Sequence, residues 1–192
     1  MRALTTAVLG GCVLGLSLTD ARAEPFGWAI SASSTDAFVQ TAPPVGPGLL
    51  NLWLWLICDE VGGAAAAEFD VVATGDISGP FGFTPQPSWI NGGAAAQLLL
   101  AVGGCPTSPM LAGQLVLADL GAGGTVCIVP SAANGLNVTV DCSYPQPRAF
   151  PNMVLGFASD GSSPCVTGSC ADPTGIGDLE KAPWGRVKGL YR

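Results

Sequence analysis

The sequence has no histidine, and its 192 residues hold only 7 Lys+Arg against 14 Asp+Glu. Each scarcity removes a class of function. Without histidine there is no Ser-His-Asp triad, no Cys-His dyad and no His-containing metal site. A net charge of −7 argues against a nucleic-acid binder, which needs a basic footprint to neutralise phosphates. No apolar run reaches the roughly 20 residues of a helical membrane span, so the mature chain is expected to have no transmembrane segment. Charged residues are 11% and apolar ones 48%, which is the wrong balance for a disordered chain. Neither an Asp-Thr-Gly or Asp-Ser-Gly triplet nor a G-x-S-x-G elbow occurs, so the familiar protease and esterase patterns are missing.

What is present begins with an export signal. Arg2 precedes the apolar run Ala7–Leu18, and Ala21-Arg22-Ala23 fits the small-x-small cleavage rule. Residues 1–23 therefore read as a signal peptide cut before Glu24, giving a secreted chain, extracellular or at the cell surface. Leu9-Gly10-Gly11-Cys12 offers a rival, lipoprotein processing at Cys12, but the apolar run continues past that cysteine. A body at residues 24–170 is followed by a linker at 171–179 (ADPTGIGDL) and a tail at 180–192. Arg148 is the single cation between Glu24 and Leu179, whereas Lys181, Arg186, Lys188 and Arg192 crowd the tail. Trp184 and Tyr191 flank those cations. The tail (Trp184, Arg186, Lys188, Tyr191, Arg192) reads as a sorting or attachment signal, with docking on the acidic body or disorder as alternatives.

Removal of Cys12 leaves Cys58, Cys105, Cys127, Cys142, Cys165 and Cys170, an even number in an oxidising compartment, so three disulfides are expected. Asn134-Gly135 is a strong signal for a type I′ hairpin turn. In that register Cys127 faces Cys142, which predicts their pairing. Cys165 and Cys170 share a short loop and are expected to pair locally, leaving Cys58 with Cys105.

Short apolar runs alternate with Gly, Pro, Ser and Asn breakers, the pattern of an all-β chain. Strands are predicted near Gly27–Ser33, Leu50–Cys58, Glu68–Thr74, Gln97–Val102, Gln114–Asp119, Thr125–Val129, Asn137–Cys142 and Val154–Ala158, with one helical turn in GGAAAAEF (Gly62–Phe69). Gly121-Ala122-Gly123-Gly124 reads as a hairpin loop and not as a phosphate cradle, because no helix follows it. Eight short strands of this kind suggest an antiparallel, disulfide-stabilised two-sheet β-sandwich. Leu50–Cys58 is apolar on both faces, as in a central strand covered from both sides.

The segment NLWLWLICDEVGGAAAAEFDVVATG resembles the early strands of cohesin-like sandwiches, in which an apolar LxLWL-type strand precedes a turn and an EF-D-φ strand, φ being apolar. MLAGQLVLADL resembles a late strand of the same kind of domain. The ending WGRVKGLYR is similar to a terminal motif shared by sets of secreted bacterial proteins, some of which carry C-terminal sorting segments. The resemblance implies a cohesin-like or Ig-like β-sandwich displayed outside the cell in protein or glycan contact. It carries over no catalytic residue.

Candidate chemistry is sparse. Trp53 and Trp55 stand two apart on one strand face, and Trp89 lies in the loop TPQPSWING. An exposed indole stacks on a sugar ring, whereas a buried one is simply core. Asp59, Glu60, Glu68 and Asp70 are the carboxylates that a glycoside hydrolase would pair; the plainer reading is a solvated strand face. Calcium suits an acidic extracellular protein, but the EF-hand spacing is absent and Asp160-Gly161-Ser162-Ser163 is only a loop; no cofactor or metal is expected, with bound calcium as the alternative. A thiolate metal site is disfavoured by the absence of C-x2-C. Asn137-Val138-Thr139 is a glycosylation sequon. The expectation is therefore a non-enzymatic exported domain in cell-surface or extracellular recognition or structure. A carbohydrate-binding module using Trp53, Trp55 or Trp89 is the alternative, and a hydrolase comes third.

Overall fold

The computed structural model describes residues 26–58, 63–143 and 146–167. Ten strands follow in chain order: β1 (Phe26–Ser31), β2 (Gly48–Cys58), β3 (Ala64–Pro85), β4 (Trp89–Asn91), β5 (Gln97–Val102), β6 (Met110–Val129), β7 (Val138–Asp141), β8 (Ala149–Leu155), β9 (Phe157–Ala158) and β10 (Val166–Thr167). Ala64–Phe69 opens β3 as strand, so the helical turn expected in GGAAAAEF does not form there; Gly62 lies outside the described residues.

Alternation along β2 sets the inside and the outside of the fold. Leu50, Leu52, Leu54 and Leu56 are buried, while Leu49 and Asn51 are exposed and Trp53 and Trp55 half-buried. A period of two on a pleated strand sends the leucines to one face. β1 pairs with one side of β2 and β6 with the other. The order continues as β3–β7–β8–β1–β2–β6, and β6 pairs back onto β3. The ring closes as a six-stranded barrel with further strands attached. Within it β1 and β8 run parallel. β5 pairs with β3 and carries β4, while β9 adds to β6 and β10 to β8.

This closed barrel replaces the two-sheet sandwich expected from the sequence, and the cohesin-like or Ig-like assignment falls with it. The reason lies in two strands. β3 has 22 residues and β6 has 20, because glycines taken for turns are bends inside them. Gly75, Gly121 and Gly123 all have positive φ, and β6 runs through what reads as a hairpin loop. A strand that bends without ending can pair with different neighbours along its length. The first part of β3 meets β7, and the rest meets β6.

The same geometry removes the expected hairpin at Asn134-Gly135. Val129 faces Asp70 and Val138 faces Glu68, so β7 resumes along β3 where β6 leaves off. Only Gly135 of the two turn residues has positive φ, whereas a type I′ turn requires both. The Gly135 and Leu136 region closes on itself through Gly135 N to Ser131 O (2.7 Å) and Ser131 N to Leu136 O (2.6 Å).

Cysteine pairing changes accordingly. Cys105 is bonded to Cys142 and Cys127 to Cys165, with Cα separations of 6.0 and 5.8 Å. The expected pairs Cys127–Cys142, Cys165–Cys170 and Cys58–Cys105 are all incompatible with these two bonds. Without a hairpin, Cys127 and Cys142 are no longer opposite each other. Cys58 is also disulfide-bonded, and Cys170 lies outside the described residues.

The barrel interior is filled by side chains from every wall. Phe26, Trp28, Leu52, Leu54, Phe69, Leu115, Leu117 and Phe157 are among its fully buried members. Phe83 lies over Gly113, where a Cβ would collide with its ring and with the Thr84 carbonyl. A polar chain crosses the wall between β1, β7 and β8. Trp28 Nε1 donates to Thr139 Oγ1 (2.9 Å), Thr139 Oγ1 donates to Asn152 Oδ1 (2.6 Å), and Asn152 Nδ2 donates to Asn137 Oδ1 (2.9 Å). Buried polar groups need such partners, because an unmet one costs about 1–3 kcal/mol. A second, smaller apolar cluster joins Ala29, Ala37, Ile57, Cys58, Met153 and Leu155 to Phe38 and Trp55.

Candidate functional site: an uncharged sheet face

Most carboxylates described by the structure serve the backbone. Asp119 is 1% exposed and accepts from Val45 N (3.1 Å), Gly121 N (2.8 Å) and Gly123 N (3.2 Å). It thereby fixes the glycine bend of β6. Glu68 Oε1 accepts from Asn134 Nδ2 (2.8 Å) and Asp70 Oδ2 from Ala132 N (2.8 Å). The two acids do share one face of β3, as their spacing predicts, and together they hold the loop between β6 and β7. Asp70 Oδ1 is buried and accepts no hydrogen bond among the described residues. Asp59 and Glu60 lie outside the described residues.

Asp141 sits among hydrogen-bond donors: Ser143 Oγ (2.5 Å), Ser143 N (3.2 Å) and Arg148 N (2.6 Å). Arg148 Nε approaches its carboxylate at 3.6 Å. Burial pushes the Asp141 pKa up, but the hydrogen bonds from Ser143 and Arg148 and the Arg148 charge outweigh it, and the net shift is downward. Hydrogen bonds from Ser162 lower Asp160 likewise; the Asp160-Gly161-Ser162-Ser163 segment is a self-bonded turn, with Ser162 N donating to Asp160 Oδ1 (2.9 Å). Among the described residues no group of three His, Cys, Asp or Glu side chains is placed to hold a metal ion. The sequon is part of the wall: Thr139 is fully buried, and the Asn137 amide is engaged by Asn152.

The three candidate tryptophans separate. Trp89 is 2% exposed and packs edge-on against Trp28, with ring centroids 5.7 Å apart. Its ring is core, and its Nε1 is buried without a hydrogen bond among the described residues. Trp55 is half-buried under the segment after β1, its Nε1 donating to Ser33 O (3.1 Å), and it belongs to the smaller apolar cluster. Trp53 is also half-buried, but its indole N–H makes no hydrogen bond among the described residues. The expectation of a strand covered on both faces thus holds at Trp55 and fails toward Asn51 and Leu49.

Cross-strand register shows what surrounds Trp53. Residues directly opposite each other share a face. Trp53 faces Gln114, which faces Thr84; Asn51 faces Val116, which faces Gly82; Leu49 faces Ala118, which faces Ser78. These rows form the outer surface of β2, β6 and the end of β3, opposite the inward rows Leu50–Leu117 and Leu52–Leu115–Phe83. No charged residue occurs in β2, in Met110–Ala118 or in Ile77–Pro85. The side chains of Asn51, Gln114 and Thr84 make no hydrogen bond among the described residues. Sequence reasoning singled out Trp53 but missed these three. The available signal was a lone amide at an outward position of an otherwise apolar strand, Asn51 in LLNLWLWL and Gln114 in MLAGQLVL. Their convergence depends on the β2–β6–β3 register, which no local pattern encodes.

The tail residues Trp184, Arg186, Lys188, Tyr191 and Arg192, and the segment before Phe26, lie outside the described residues. Among the described residues no helix is long and apolar enough to cross a membrane. Comparison of the chain with protein-family models, with curated proteins and with solved structures finds no match.

Proposed function

We propose that the chain is an exported, non-enzymatic barrel domain that meets a protein or glycan at the cell surface through the outer face of β2, β6 and β3. One observation carries this reading: on that face a half-buried tryptophan and three unengaged polar side chains converge without a charge among them. The non-enzymatic part is supported by the carboxylates, since Glu68, Asp70, Asp119 and Asp141 are employed as acceptors for loop donors. Export is supported by the signal-like segment 1–23 and by disulfide bonding, which belongs to oxidising compartments. In this reading the basic aromatic tail sorts or attaches the domain.

The test is retention. The full chain, produced in its native setting, is compared with Trp53→Glu for partition between cell-associated material and free medium. The reading expects the variant to shift to the medium while keeping its melting temperature. Equal retention of a well-folded Trp53→Glu would defeat it. The intact mass of the exported protein checks the cleavage before Glu24 and whether the tail stays on.

A further inference from the structure

We infer that the ligand of this face is a neutral saccharide, seated on Trp53 and held by Asn51, Gln114 and Thr84; the inference rests on the recognition reading above. The dimensions come first. Trp53, Gln114 and Thr84 stand on three adjacent strands, which spans about 10 Å at the usual strand spacing. Asn51 lies two residues along β2, about 7 Å away. That is a small platform, suited to a sugar ring or two and not to a large protein patch.

The chemistry fits the same ligand. A sugar presents a flat C–H surface rimmed by hydroxyls, each of which both donates and accepts. The indole supplies an apolar platform for the first and an N–H for the second. Side-chain amides and a threonine hydroxyl also donate and accept, whereas a carboxylate only accepts and a lysine only donates. A protein partner that buried this face would have to satisfy three polar side chains and an indole N–H scattered through it, at a cost for each one missed. A rim of hydroxyls meets them without that demand.

Charge decides among the remaining occupants. The face is uncharged, and the chain carries −7. An acidic polysaccharide and a second copy of the chain are both repelled by that field. A neutral glycan is the ligand with nothing to lose there. Trp55 and Trp89 do not join the platform, because the first is covered and bonded and the second is core.

The experiment is calorimetric titration of the full exported chain with soluble neutral gluco-, xylo-, manno- and galacto-oligosaccharides, and with polygalacturonate as the acidic control. At least one neutral series is expected to bind. Trp53→Ala should weaken it at least about tenfold, as loss of an anchoring aromatic does. Asn51→Ala, Gln114→Ala and Thr84→Ala should each weaken it several-fold with unchanged melting temperature, and these decide the matter if Trp53→Ala fails to fold. The inference is overturned if no neutral series binds, if only polygalacturonate binds, or if binding survives all four substitutions. Retention that depends on Trp53 without any saccharide binding would overturn the saccharide and leave the recognition reading standing. Self-association in sedimentation that disappears in Trp53→Glu would assign the face to a second copy and overturn it equally.

Discussion

Two sets of polar side chains in this protein are placed in opposite ways. Around Asp119, Asp141 and the Trp28–Thr139–Asn152 chain, the polar atoms named above are bonded to a neighbour in the same molecule. On the outer face of β2, β6 and β3, Asn51, Gln114 and Thr84 are bonded to nothing among the described residues. Among the described residues the carboxylates, which draw the eye first in a sequence, are consumed in shaping loops and bends. The neutral side chains of this outer face are left available. If the proposed reading holds, charge is a poor guide to function here and unspent hydrogen-bonding capacity a better one.

Substitutions test that contrast from its strongest side to its weakest. Asp119→Ala should do the most damage, since three backbone amides lose their acceptor where Asp119 is 1% exposed; a loss of about 3 kcal/mol or more is expected in urea unfolding. Thr139→Val keeps the shape but leaves the Trp28 N–H without an acceptor, and about 2 kcal/mol should be lost by the same measure. Asp141 responds to acid. Its folded pKa lies below the ordinary 3.8, so its stabilisation is present above that value and is lost as pH falls through the lowered pKa. Asp141→Asn should accordingly flatten the acid limb of a stability–pH curve below about pH 4 while leaving its slope near neutrality alone. Smallest of all, Asn51→Ala and Thr84→Ala should change stability by no more than about 0.5 kcal/mol, as exposed substitutions do. A large loss at either would mean that these side chains are structural after all, and would erase the contrast.

The sequence made the inward leucine stripe of β2 legible, because a period of two needs no tertiary information. It also marked Trp53 and the shared face of Glu68 and Asp70. It hid the barrel. Gly121 and Gly123 read as a hairpin loop and the predicted strand stops at Thr74, just before Gly75; only the ladder between β3 and β6 reveals all three as bends inside continuous strands. It misled at Asn134-Gly135, where the dipeptide's local preference for a tight hairpin yields to two carboxylates on β3 that grip the loop. The wrong pair Cys127–Cys142 followed from that error, since the two face each other only if the hairpin forms; Cys165–Cys170 rested on closeness in sequence, which the bond from Cys127 to Cys165 overrides, and Cys58–Cys105 was what those two left over. Asn51, Gln114 and Thr84 are far apart in sequence, and nothing short of the strand register brings them together.

The order of the cysteines along the chain has a consequence for how the molecule is made. Counted through Cys105, Cys127, Cys142 and Cys165, each of the two bonds skips a cysteine and straddles one end of the other. An oxidant that met the chain in the order of its synthesis would find Cys58 and Cys105 together first, and a bond between them would join the wrong partners. Native connectivity then has to be reached by thiol–disulfide exchange, with a thiolate attacking a bond already made. On that route maturation would be a matter of error correction as much as of oxidation, with a yield set by how freely the early bonds reshuffle.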